Sequence, residues 1–155
     1  VHAYEELMQS VPQGKKSEWH QKAMLSASAG ELDDYVDLCV QTGEWNLLAK
    51  RVHETDHSKL ESITHYSSEP AAKKLIKKAP LAAAKLYRAL GIRIVNQGKS
   101  KYYGNALQYL KFAHKLYLKA GKESEWKEIV AYLQLNHSRR RGFMHDLEQF
   151  SRNEK

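Results

Sequence analysis

The chain has a single cysteine, Cys39, three prolines and little that could cross a membrane: no stretch approaches the roughly 18 consecutive apolar residues of a span. One cysteine excludes an intrachain disulfide framework and a zinc site built on several thiolates. A reducing, cytoplasmic setting is the expectation that follows. No run alternates apolar and polar with a strand's period of two, and no Gly-rich phosphate loop is present. Residues Val1–Ser10, with Glu5 and Glu6 inside them, read as an amphipathic helix and not as a signal peptide. The first residue is not Met, which suggests trimming or a longer parent chain. Nothing in the composition calls for a cofactor or points to a small-molecule substrate.

What is present is helix-forming: Ala, Leu, Lys, Glu and Gln are abundant. The expected fold class is all-α, one helical-repeat domain over 1–155, with eight or nine helices and short connections. Ser17 is placed to cap a helix that Gly30 stops. The next spans Glu31 to about Thr42 and buries Tyr35, Leu38 and Cys39 before Gly43. Another begins at Glu44-Trp45 and buries Leu48 and Val52. A short helix follows Asp56, carrying Leu60 and Ile63. Ser67-Ser68-Glu69-Pro70 reads as a helix start, with proline just inside it. Pro80 opens a longer helix whose apolar stripe is Ala83, Tyr87, Leu90 and Ile94, ended by Gly98. Tyr102 to Ala120 buries Ala106, Leu110, Ala113 and Tyr117. Two more helices run from Glu123 to about Asn136 and from about Ser138 to Phe150.

The chain repeats itself. Gly14-Lys15-Lys16-Ser17-Glu18-Trp19 matches Gly121-Lys122-Glu123-Ser124-Glu125-Trp126 at five of six positions, and Gly43-Glu44-Trp45 is a shortened version. In this pattern Gly closes one helix, Glu sits at the positive start of the next, and Trp anchors that first turn. Repeated helical pairs stack, each burying its apolar face on its neighbour. Between Leu86 and Ala120, a helix, Gly98 and Tyr103-x2-Ala106-Leu107-x5-Phe112-Ala113 resemble a tetratricopeptide (TPR) hairpin, although the small residue expected within the first helix is out of register. The resemblance implies a right-handed α-solenoid. Gly43-Glu44-Trp45, Leu86-Tyr87, Tyr103-x2-Ala106-x2-Tyr109-Leu110, Leu116-Tyr117, Glu125-Trp126 and His137-Ser138-Arg139-Arg140-Arg141 also resemble the α-helical C-terminal region of bacterial proteins that carry a SWIM-type zinc finger. That resemblance implies a scaffold whose nucleic-acid association belongs to the finger, which this chain lacks.

His53-Glu54-Thr55-Asp56-His57 spells HExxH. On one continuous helix its two imidazoles would share a zinc and Glu54 would activate the bound water, as in a zinc-dependent hydrolase. Against this, Thr55 and Asp56 are good N-cap residues that can break the helix between the imidazoles. A third ligand would have to come from His65, Glu61 or Glu69. The alternative is two polar histidines at a helix junction, with no metal and no catalytic residue. Cys39, at an apolar position, reads as a structural thiol. The cluster Glu31, Asp33 and Asp34 is explained by a helix start. His114 reads as a partly buried or surface histidine.

The charge distribution is the stronger lead. Of 25 Lys and Arg residues, 13 lie between Pro70 and Lys122, where there is no Asp or Glu. The remainder of the chain is acidic overall. Lys73, Lys74, Lys77 and Lys78 form rows on one helix; Lys85, Arg88 and Arg93 follow on the next; Lys111, Lys115 and Lys119 make an i, i+4, i+8 stripe. Like charges at this spacing cost helix stability. They can collect phosphates, with Tyr102, Tyr103 and Tyr109 as stacking groups, dock an acidic protein, or face the acidic half of the chain itself. Arg139, Arg140 and Arg141 can contact phosphate, cap the preceding helix or pair with Asp146 and Glu148. The reading is a non-catalytic interaction scaffold whose partner, protein or nucleic acid, is acidic.

Overall fold

The computed structural model describes residues 2–153. Over these the chain forms ten α-helices and two 3-10 turns, with no strand among the described residues. The helices are α1 (His2–Ser10), α2 (Lys16–Ala29), α3 (Leu32–Thr42), α4 (Trp45–Glu54), α5 (His57–Ser62), α6 (His65–Lys78), α7 (Pro80–Gln97), α8 (Tyr103–Lys119), α9 (Glu123–His137) and α10 (Arg141–Asn153). None is long and apolar enough to cross a membrane. The all-α expectation holds, with more helices than the sequence suggested.

α7 is the central element. Its expected stripe lies inward, but so does most of its circumference: ten of its eighteen residues are buried. A helix apolar all round must be covered on several sides. α7 is covered by α6 and α8, with α4 and α5 also in contact. Along the second half of the chain each helix from α6 to α10 packs on the next, and α8 also reaches α10. The tightest crossing is α7 on α8. Gly91 makes it possible, because a Cβ there would lie 2.7 Å from Leu110 Cγ and 3.2 Å from the Ala106 carbonyl oxygen. Gly91 thus lets the two helices approach closely. The N-terminal helices are joined to one another by polar tethers. Tyr4 bonds His20 at 2.8 Å, and the other ring nitrogen of His20 meets Glu44 at 2.6 Å.

Helix ends follow local chemistry, with three corrections. Gly43, Gly98 and Gly121 have φ of 72°, 74° and 72°, the left-handed region that favours glycine. Gly14 differs: it lies in the 3-10 turn Gln13–Lys15, and α2 starts at Lys16, so Ser17 is inside the helix and not its cap. The three Gly…Glu-Trp units are therefore not equivalent. Trp126 is buried and Trp45 half-buried, but Trp19 is 37% exposed, with the Lys22 ammonium over its ring. The third correction concerns α6. Thr64 takes the N-cap position and α6 starts at His65, so Pro70 lies a turn and a half inside. Pro70 has no N–H to give the Tyr66 carbonyl four residues back. Tyr66 is 80% exposed, so water can serve that oxygen. Ser67 and Ser68, read as part of the cap, are instead buried.

Candidate functional site

The HExxH residues are divided by the fold. α4 ends at Glu54, Thr55 and Asp56 are extended (ψ 135° and 147°), and α5 begins at His57. The Thr55 hydroxyl bonds back to the Arg51 carbonyl, which helps to close α4. The continuous helix that would present both imidazoles to one ion is interrupted. Among the described residues no three His, Cys, Asp or Glu side chains converge as a metal site, so His65, Glu61 and Glu69 do not complete one. The two histidines meet cations instead. Partial desolvation lowers the pKa of His57, helped by Arg88 and Lys85 and opposed by Glu125 and Glu128. His53 is lowered by desolvation and by Lys85, against Glu125. Glu61 is raised by burial, with Arg88 opposing. Lys85 and Arg88 of α7 thus act electrostatically on the histidines, in company with Glu125 and Glu128 of α9.

The remaining cations of the acid-free stretch lie elsewhere. Lys73, Lys74, Lys77 and Lys78 are exposed on α6; Lys111, Lys115 and Lys119 are exposed on α8. Lys73 meets Glu69 at 3.1 Å, and Glu69 accepts a 2.9 Å hydrogen bond from the Tyr109 hydroxyl. Burial pushes the Glu69 carboxyl up, but the bonds from Tyr109 and Lys73 outweigh it and hold it below its ordinary value. The Lys111 ammonium lies 5.8 Å from the centre of the Phe150 ring. Seven of the nine basic-face residues are thus exposed, four on α6 and three on α8, whereas Lys85 and Arg88 on α7 are half-buried and act on the histidines.

A cavity of about 430 Å³ opens where the start of α6, the second half of α7 and the start of α8 meet. Leu90 and Ile94 give it an apolar part; Arg93, Lys99 and His65 give it basic groups. Tyr102 and Tyr109 supply aromatic rings, and Gln97 and Asn105 supply amides. No carboxylate is among its lining residues. Arg93 donates a 2.6 Å hydrogen bond to the Ile63 carbonyl, which fixes its guanidinium beside the cavity. Tyr102 is 39% exposed, with the Lys101 ammonium 4.9 Å from the centre of its ring. His65 also belongs to a second, shallower depression with Tyr66, Glu69, Pro70, Lys73 and Lys74. The His65 and Tyr66 rings are 4.0 Å apart.

Of the three tyrosines read as stacking groups, only Tyr102 is exposed. Tyr103 is half-buried against Phe143, with the Arg140 guanidinium over its ring. Tyr109 is half-buried, and burial with the Glu69 bond pushes its hydroxyl up to about 12. The arginine run divides likewise. Arg140 is half-buried, bonds His137 and lies close to Gly98, whereas Arg139 and Arg141 are exposed. Sequence reasoning weighed His65 only as a third metal ligand and missed Tyr66, because a shifted helix start hid both in an expected loop. His114, expected nearer the surface, is buried between Trp126 and Phe150, with ring centres 4.6 and 5.8 Å away. Cys39 is fully buried, and burial raises its thiol to about 11, which makes it a poor nucleophile.

No protein-family model, no curated protein and no solved structure matches this chain.

Proposed function

We propose that this chain is a non-catalytic interaction scaffold, a TPR-like stack of helical hairpins, that binds an acidic partner through α6 and α8. The partner is an acidic protein or a nucleic acid. The observation that carries this reading is the stretch from Pro70 to Lys122, which has 13 basic and no acidic residues and whose α6 and α8 lysines are exposed. Like charges at i, i+4 spacing are unfavourable within a helix, and an acidic partner lowers that cost. The neighbour-to-neighbour packing of α6 to α10 and the close α7–α8 crossing at Gly91 support the hairpin-stack architecture.

The test is retention of a labelled polyanion such as heparin, read by anisotropy. Replacing Lys111, Lys115 and Lys119 together by Glu should weaken binding at least about tenfold, since each lysine that meets an anionic group releases a counterion. The far-UV circular dichroism should not change. Unchanged affinity in the triple variant would remove α8 from the binding face and with it this reading.

A further inference from the structure

Resting on that reading, we propose that the acidic partner is a single-stranded nucleic acid, and that the α6–α8 cavity seats one of its unstacked bases. Three properties of the cavity point to a nucleotide unit. Its apolar part, Leu90 and Ile94, adjoins an exposed aromatic ring, Tyr102, as a flat base requires. Two neutral amides, Asn105 and Gln97, can each donate and accept, which suits the mixed edge of a base. Arg93 and Lys99 stand beside them, with no carboxylate in the lining, which suits a phosphate. The volume of about 430 Å³ lies within the usual range for small ligand sites.

The surroundings extend the argument from one nucleotide to a strand. His65 is shared with the neighbouring depression, where Tyr66 is 80% exposed and Lys73 and Lys74 are close. An isolated, fully exposed tyrosine would carry little meaning. Here two exposed tyrosines, Tyr66 and Tyr102, flank one histidine amid five cations (Lys73, Lys74, Arg93, Lys99 and Lys101) and one carboxylate, Glu69, which pairs with Lys73. The carboxylates of an acidic protein would meet the cations but do not themselves call for the rings. A duplex keeps its bases stacked and cannot put one into the cavity. A single strand uses all of them: bases at the two tyrosines, phosphates at the lysines.

The experiment measures anisotropy of the whole chain with a labelled 12-nucleotide single-stranded oligouridylate, with the matching duplex, heparin, poly-glutamate and a nucleoside monophosphate as competitors. Tyr102→Ala should weaken the strand about 5- to 150-fold, the range for losing one stacked base, and leave heparin affinity unchanged. Tyr102→Phe, which keeps the ring, should retain binding, so a folding defect would be recognised by loss in both variants and in thermal unfolding. Tyr66→Ala should act in the same direction. Equal binding of strand and duplex, or a strand indifferent to Tyr102→Ala, overturns the proposal. So does a nucleoside monophosphate that binds as tightly as the strand. If poly-glutamate and heparin bind and the strand does not, the nucleic-acid assignment falls while the basic-face reading stands. If no polyanion binds, both fall.

Discussion

α7 carries basic residues toward two different regions, and the contrast between them separates structural charge from charge available to a partner. Near its start, Lys85 and Arg88 face His53, His57, Glu61, Glu125 and Glu128. There, cations and carboxylates share one neighbourhood and shift one another's proton affinity. Further along α7, Arg93, with Lys99 just past the helix end, borders a cavity with no carboxylate in its lining. Net charge along the chain does not distinguish these regions, since both belong to the acid-free stretch. What differs is what the fold brings nearby: acidic residues of α5 and α9 in one case, and in the other Tyr102 before α8 with Asn105 and Tyr109 on it.

The comparison can be broken or sharpened by substitution. The largest effect is expected at Leu110, fully buried where α7 meets α8. Leu110→Ala should cost about 2–5 kcal/mol in denaturant unfolding, because the cavity left behind adds to the lost transfer term. Both regions should weaken together, since both hang on the α7–α8 contact. Gly91→Val should cost about 1–3 kcal/mol by overpacking against Leu110 and the Ala106 backbone. Less loss than that would mean that the two helices separate easily.

Arg88→Gln sharpens the contrast. It removes one cation that depresses His57 and holds Glu61 down, so both pKa values should rise, read for His57 as its imidazole proton shift in an NMR titration. Polyanion affinity should change by no more than about twofold, because a half-buried guanidinium with one nitrogen fully buried is poorly placed to meet a partner. Lys99→Ala should behave inversely. It is exposed, so stability should stay within about 0.5 kcal/mol while anion binding falls.

The smallest effect concerns pH. His53, His57 and His137 all have folded-state pKa values below the ordinary one, so the unfolded chain binds protons first. Their contribution is present above about pH 6.5 and is lost as pH falls through that value toward the depressed ones. The midpoint of thermal unfolding should therefore drop from about pH 7 to about pH 5 and drop less in His57→Gln. An unchanged slope in that variant would show that His57 keeps its ordinary proton affinity in the folded chain.

Much of the architecture was legible from residues whose physics is local. Glycines at 43, 98 and 121 stop helices because each must take a positive φ, and Pro80 starts one because its ring fits a first turn. The break between His53 and His57 was visible in Thr55 and Asp56. Less legible was anything decided across helices. Pro70 suggested a start that Thr64 in fact supplies, and with it Tyr66 was lost from view and His65 was weighed only as a metal ligand. Lys85 and Arg88 belonged by charge to the basic face, but their orientation depends on α5 and α9, which are far apart in sequence. Of the candidate site, the lysine rows could be read directly, whereas the cavity required three helix ends to be placed in space.

The most direct measurement compares two double variants in one heparin titration at about 50 and about 200 mM salt. Lys74→Glu with Lys99→Glu alters the open side; Lys85→Gln with Arg88→Gln alters the side facing the histidines. The first pair should lose at least about tenfold in affinity and flatten the salt dependence, while the second should stay within about twofold of the parent chain. The reverse pattern would contradict the account, since it would place the binding surface among His53, His57 and Arg88.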